Sequence, residues 1–368
     1  MIAQLGSFDL PQVARWALLG VVVAVLSLAT AVMARRFSAK TWQRRKERLI
    51  QQSRPVLLRV LADDSVDPEA MATLATLPDR VWRACEPAVV AMLGKVRGAS
   101  HEALVGVLVE RDTLRRAVKA ASSRSPVRRC RAVEMLGAMR HRPSLPLIAA
   151  LLQDGSAEVR QVAARAMGRI GAASSARSLL EASAGPRRLT PRDVASALVL
   201  LEAGATEDII AVVAESREPG VRVVGVEVLG LRGAVDSAGL LVEMLDHDPN
   251  YEVRITVARA LGRLGVPDSL QALAKALESE SGEMRAVAAR ALGQLGSANS
   301  VAKLVGCLGD PTHRVASNAA ESLAALGESG LEALRMAATS CGAREAGYAR
   351  EALAVHAVGR RTLGRAGV

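Results

Sequence analysis

Through the middle of the chain, apolar and small residues recur at helical spacing, and the whole pattern returns about every thirty-one residues. The segments VRQVAARAMGRIG from Val159, VRVVGVEVLGLRG from Val221, VRITVARALGRLG from Val253 and MRAVAARALGQLG from Met284 can be read side by side. Small or apolar residues fill the positions nine, six, five, two and one before the shared glycine, which one face of a helix presents. Each segment therefore predicts an amphipathic helix with a broad buried stripe. Second apolar segments lie between them, such as SAGLLVEMLDHD from Ser237 and DSLQALAKALES from Asp268, with turns at Asp248-Pro249 and Asp310-Pro311. Paired helices too short to bury their own apolar faces are the units of a solenoid, in which each repeat is covered by its neighbours.

Two columns keep step along this array. Arg129, Arg160, Arg192, Arg222, Arg254 and Arg285 stand 31, 32, 30, 32 and 31 residues apart, and Ala316 continues the series. Gly137, Gly168, Leu200, Gly230, Gly262, Gly293 and Ala324 follow eight residues behind. The segment from Thr190 to Gly204, which lacks the glycine, departs most and predicts irregular curvature. The Asp-Pro turn, then Val-Arg, then Ala, then Leu-Gly resembles the HEAT repeats of the short bacterial type that also includes phycobilin-lyase-like repeats. The resemblance covers residues 126–327 and implies an all-α solenoid of helical hairpins. It implies a protein-binding scaffold; a lyase-like or other enzyme subunit is the alternative, held weakly because a shared fold does not carry a function. Residues 61–125 are expected to form divergent or capping repeats, and 328–368 the C-terminal capping helices and tail.

Upstream of the repeats, Trp16 to Ala34 runs nineteen residues without a charge, long enough as a helix for a hydrocarbon core of roughly 30 Å. The expectation is a transmembrane anchor over 1–36, followed by a basic juxtamembrane helix over 37–60. Arg35, Arg36, Lys40, Arg44, Arg45, Lys46 and Arg48 follow the apolar run, so the positive-inside rule predicts a single-pass protein of the bacterial inner membrane, amino terminus outside and repeats in the cytoplasm. Export after signal cleavage is the competing reading. Ala17, Gly20, Ala24, Ser27 and Ala31 recur at spacings of three and four. They form a small-residue seam that would let another span pack closely.

Composition refines this picture. Half the residues are hydrophobic, but only seven are aromatic, as in helices packed through small side chains. The net charge of +11 is local: residues 1–60 carry +8 and residues 111–142 another +8, leaving the rest slightly acidic. A nucleic-acid groove would require continuous positive charge with stacking rings, and beyond residue 60 the aromatics are only Trp82, Tyr251 and Tyr348. Nucleic acid is therefore disfavoured. Cys85, Cys130, Cys307 and Cys341 show no CxxC spacing, and no two of the five histidines share a helical face at i and i+4. The sequence accordingly offers no catalytic residues, no metal ligands and no cofactor.

The arginine column reads as structural, each side chain bridging to a neighbouring turn. Three residues before the glycine column the residue varies in sign: Glu134, Arg165, Glu227, Arg259, Arg290 and Glu321, to which Arg263 adds a further exposed cation. These are the candidate partner face, on the side that the resemblance makes concave, and they suit a protein segment carrying both charges. Arg115, Arg116, Arg128 and Arg129 form a basic patch suited to an anionic partner or surface.

Overall fold

The computed structural model describes residues 54–60, 67–340 and 342–365, together with positions 23, 26–30, 32, 33 and 35. Among the described residues the regular structure is helical and contains no strand. The chain divides into two compact units, residues 1–113 and 114–368.

In the first unit, α1 (Pro68–Thr76), α2 (Asp79–Met92) and α3 (Gly98–Glu110) bury Leu74, Val89, Leu104 and Leu108 completely. Asp67 caps α1, its Oδ1 accepting from the amides of Glu69 and Ala70 at 3.0 and 2.9 Å, which satisfies two of the donors a helix start leaves open. At the other end, Arg111 donates to the carbonyl of Leu77 and lies 5.2 Å from the centre of the Trp82 ring.

The second unit is the solenoid. After α4 (Thr113–Ala121), hairpins follow in order: α5 (Pro126–Ala138), α6 (Leu145–Ala150), α7 (Ala157–Ile170), α8 (Ala176–Glu181), α9 (Pro191–Val199) and α10 (Ala205–Glu215). Then come α11 (Pro219–Arg232), α12 (Ala238–His247), α13 (Tyr251–Leu264), α14 (Leu270–Ala276), α15 (Gly282–Leu295), α16 (Val301–Gly306), α17 (His313–Ala325), α18 (Glu328–Ser340) and α19 (Ala343–Arg365). The odd-numbered motif helices from α5 to α17 pack each against the next. One apolar core runs unbroken from Ala117 to Ala352.

Two ladders hold the motif helices together. Gly137, Gly168, Gly230, Gly262 and Gly293 are points of close approach. A Cβ on Gly262 would stand 2.7 Å from the Cα of Ala291, and one on Gly293 would stand 2.9 Å from the Cα of Ser322. These glycines do not end their helices. That is done three residues later, as at Gly265, whose φ of 65° is the left-handed conformation that a side chain disfavours.

The second ladder is the arginine column. Arg129, Arg160, Arg222, Arg254 and Arg285 each donate to the carbonyl six residues upstream, at distances of 2.6 to 3.0 Å. Three also reach forward to a carboxylate. Arg129 binds Asp154 at 2.7 Å, Arg222 binds Asp248 at 2.7 and 2.9 Å, and Arg285 binds Asp310 at 2.7 and 3.0 Å. The other two have Gly185 and Ser279 where the acid would stand; Arg160 bonds the loop carbonyls of Asp154 and Gly155, and Arg254 bonds that of Asp248 and lies over the Tyr251 ring. Each aspartate also accepts from the amide two residues on, at 2.8 Å, so one side chain shapes the turn and anchors the guanidinium.

The amino-terminal expectation requires correction. Among the described residues no helix is long and apolar enough to cross a membrane, which conflicts with the expected single-pass inner-membrane placement, amino terminus outside and repeats in the cytoplasm. Of the expected seam, Ser27 is described and exposed, while Ala17, Gly20, Ala24 and Ala31 lie outside the described residues. Of the seven cations, Arg35 is described and exposed; Arg36, Lys40, Arg44, Arg45, Lys46 and Arg48 lie outside.

Candidate functional site

The regular ladder fails at one place. Arg160, Arg254 and Arg285 stand six residues before Ala166, Ala260 and Ala291, the residues on which the preceding glycines close. In α9 the glycine contact of Gly168 falls on Ala197, so the position equivalent to the arginine is Pro191. Arg192 is one residue out of register. It is exposed. By the same count the glycine position is occupied by Val199, not Leu200, and Val199 is 41% exposed.

A valine at that position prevents the approach that glycine allows elsewhere. α9 ends there, after nine residues where α7, α11, α13 and α15 have fourteen. The shortened end is capped from outside: Arg232 at the end of α11 donates to the carbonyls of Leu198 and Leu201 at 3.0 Å and of Glu202 at 2.7 Å. Five guanidinium donors in a fixed fork suit this cluster of carbonyls at the helix end, of which Leu198 and Glu202 also accept from the amides of Leu201 and Ala205. Thr190 caps the start, its Oγ1 accepting from the Asp193 amide at 3.2 Å.

Where the helices fail to close, a groove of about 890 Å³ opens across α9, α11 and α13. Ala195, Val199, Val223, Leu231 and Ile255 supply apolar lining, with Leu231 52% exposed. Tyr251 stands at one side, its hydroxyl hydrogen-bonded to Ser281. Around this surface lie Arg192, Arg259, Glu227, Glu252 and Glu283. Glu227 is held by Arg263 at 2.9 Å, whereas among the described residues no ion pair fixes Arg192, Arg259, Glu252 or Glu283. An apolar floor gives burial, and unpaired charges of both signs give orientation.

Of the seven residues expected on a partner face, Glu227 and Arg259 reach this groove, and Arg263 acts on it through Glu227. Arg290 and Glu321 pair with each other at 3.3 Å further along the array; Glu134 and Arg165 are exposed on α5 and α7. In the basic patch, Arg115, Arg116 and Arg128 are exposed, but Arg129 is committed to Asp154 and to the loop carbonyls. Val199, Leu231, Tyr251, Arg192, Glu252 and Glu283 were not anticipated. The available signal was the missing glycine, which marks where neighbouring helices cannot close. Buried serines also recur at the hairpin turns: Ser144, Ser175, Ser237, Ser269 and Ser300. Ser237 and Ser269 donate back to the carbonyls three residues upstream at 2.6 and 2.5 Å.

No metal-binding cluster of His, Cys, Asp or Glu occurs among the described residues. Burial raises the thiol pKa of Cys130 and Cys307 above the ordinary value, which keeps them protonated and poorly nucleophilic. Burial lowers His141 below the usual imidazole range.

The HEAT-repeat family matches residues 114–199, 206–284 and 272–354. No curated protein sequence matches the chain. Among solved structures it is similar to an engineered protein, at 19% identity and a TM-score of 0.38, over 82% of this chain and 98% of that one. It is similar to Kap121p bound to Pho4p, at 15% identity and a TM-score of 0.47, over 81% of this chain and 41% of that one. Human deoxyhypusine hydroxylase in complex with glycerol matches at 18% identity and a TM-score of 0.29, over 84% of this chain and 96% of that one. The chain thus spans about two-fifths of the length of Kap121p.

Proposed function

Since the chain belongs to the HEAT-repeat family, we propose that its second unit is a docking scaffold whose principal site is the groove across α9, α11 and α13. The occupant is a segment of a partner protein with apolar side chains for the floor and charges of both signs for the rim. The observation that carries this reading is the groove itself. It sits where the ladder breaks, Val199 and Leu231 are exposed in it, and among the described residues four of its five charged residues have no ion-pair partner. Grooves of this kind take an amphipathic helix through side chains at i, i+3, i+4 and i+7.

Site-specific photocrosslinking tests it. A photoreactive residue at Leu231 in the groove and one at Ala302, exposed on α16, are compared in the native cell. A discrete adduct from Leu231 alone, lost when Val199→Asp and Arg259→Glu are added, is expected. Equal labelling at the two sites, or an adduct indifferent to those substitutions, rejects the groove as the docking site.

A further inference from the structure

At the start of the solenoid the charge is of one sign. Between Thr113 and Val133 there are seven cations, Arg115, Arg116, Lys119, Arg124, Arg128, Arg129 and Arg131, and no Asp or Glu. Arg129 is spent on Asp154. Lys119, Arg124, Arg128 and Arg131 are exposed, and none of the four has a carboxylate partner among the described residues. The sister helices differ here. Two residues before the ladder arginine, α7, α13 and α15 carry Glu158, Glu252 and Glu283. At that register α5 carries Val127, 56% exposed. At this register α5 presents an exposed apolar residue where those three helices carry a glutamate and α11 carries Gly220. Like charges gathered in this way repel and cost the free chain stability, which a partner of opposite sign would restore.

We propose that the α4–α5 hairpin is a second docking surface, specific for an acidic polypeptide segment that interleaves Asp or Glu with aliphatic residues. The carboxylates would pair with Lys119, Arg124, Arg128 and Arg131, and the aliphatic side chains would cover Val118 and Val127, which are 38% and 56% exposed. A nucleic-acid strand fits less well. The hairpin offers no aromatic ring for base stacking, and the positive run stops at Glu134 and Glu158, too short for a backbone track. A lipid surface fits less well too, since interfacial helices insert Trp, Phe or Leu beside their cations and this patch has only two valines.

Binding of a labelled peptide of repeating Glu-Glu-Leu to the full chain, read by fluorescence anisotropy at two salt concentrations, tests the assignment. The expected result is saturable binding that weakens with salt and is at least tenfold weaker when Lys119, Arg124, Arg128 and Arg131 are all changed to Gln. The smaller Arg128→Gln, Arg131→Gln variant should lose a fraction of that affinity with an unchanged melting temperature. The groove substitution Val199→Asp should leave it unaltered, so this surface and the groove stand or fall separately. Equal binding of a Gln-Gln-Leu peptide overturns the proposal, as does indifference to the quadruple substitution. Tighter binding of oligouridylate, or of vesicles of phosphatidylserine and phosphatidylcholine, also overturns it by giving the patch a different occupant.

Discussion

The hairpins around α13 and α15 and the hairpin around α9 are built from the same motif, yet they end differently. In the first, Gly262 lets α13 lie against Ala291 of α15 almost backbone to backbone. In the second, Val199 occupies the glycine's place, Pro191 the arginine's, and the helix stops five residues early. Val199 and Leu231 stay exposed along a groove. Two substitutions within a repeat thus turn a packing seam into a surface, and the neighbouring repeats hold it open. Arg232, which belongs to the next motif helix, makes the break stable by satisfying the carbonyls at the end of α9.

The difference between ladder arginines and the displaced one should be the largest measurable contrast. Arg222 and Asp248 have side chains 9% and 5% exposed. Removing one partner of such a pair strands the other, so Arg222→Ala should cost on the order of 3–5 kcal/mol in urea unfolding. Arg192→Ala, outside the ladder, should change stability by no more than about 0.5 kcal/mol. Similar costs at both positions would dissolve the distinction.

A smaller contrast is expected at the crossings. Gly262→Ala introduces a Cβ into backbone that cannot easily withdraw, and should cost about 1–3 kcal/mol through overpacking. Val199→Gly, where the helices do not meet, should lose only about 1 kcal/mol of helix propensity. Thermal melts of the two variants check this; a stabilising Gly262→Ala would mean the seam is not closed.

The smallest effect is pH dependence of the ladder. Hydrogen bonding from Arg285, outweighing burial, holds the Asp310 carboxyl below its usual range. For Asp154, burial pushes upward, but the bonds from Arg129 and the Ser156 amide prevail and its pKa is also lowered. A carboxyl with a depressed folded-state pKa contributes stability above its unfolded value of about 3.9, and that contribution disappears as pH falls through the folded value. Unfolding free energy should therefore fall below about pH 4, and less steeply in Asp310→Asn. An unchanged slope would show that Asp310 is not coupled to folding.

The repeat was legible because its physics is local and recurs. Helical spacing of small and apolar residues, Asp at the turns, Arg in the first turn and Gly near the end are written into each unit, so the all-helical solenoid follows from the pattern. Even the departure around Thr190 to Gly204 was visible. Its consequence was not, because aligning Arg192 and Leu200 with their columns hid a shift of one residue, and only the contact of Gly168 with Ala197 reveals it. The sign-varying column was equally readable, but proximity sorts it. Glu227 meets Arg263 and Arg290 meets Glu321, while Arg259 is left to the groove.

The chain by itself determined that its units would be amphipathic hairpins unable to stand alone, because the apolar stripe on each helix demands a neighbour. It also determined where the charge would gather. What only the tertiary structure decided was which charges are already answered and which seam stays open. Both depend on distances between residues some thirty positions apart, where a single methyl group at a crossing decides whether two backbones can touch. Arg129 and Arg128 are adjacent in sequence, and one is locked to Asp154 while the other faces solvent.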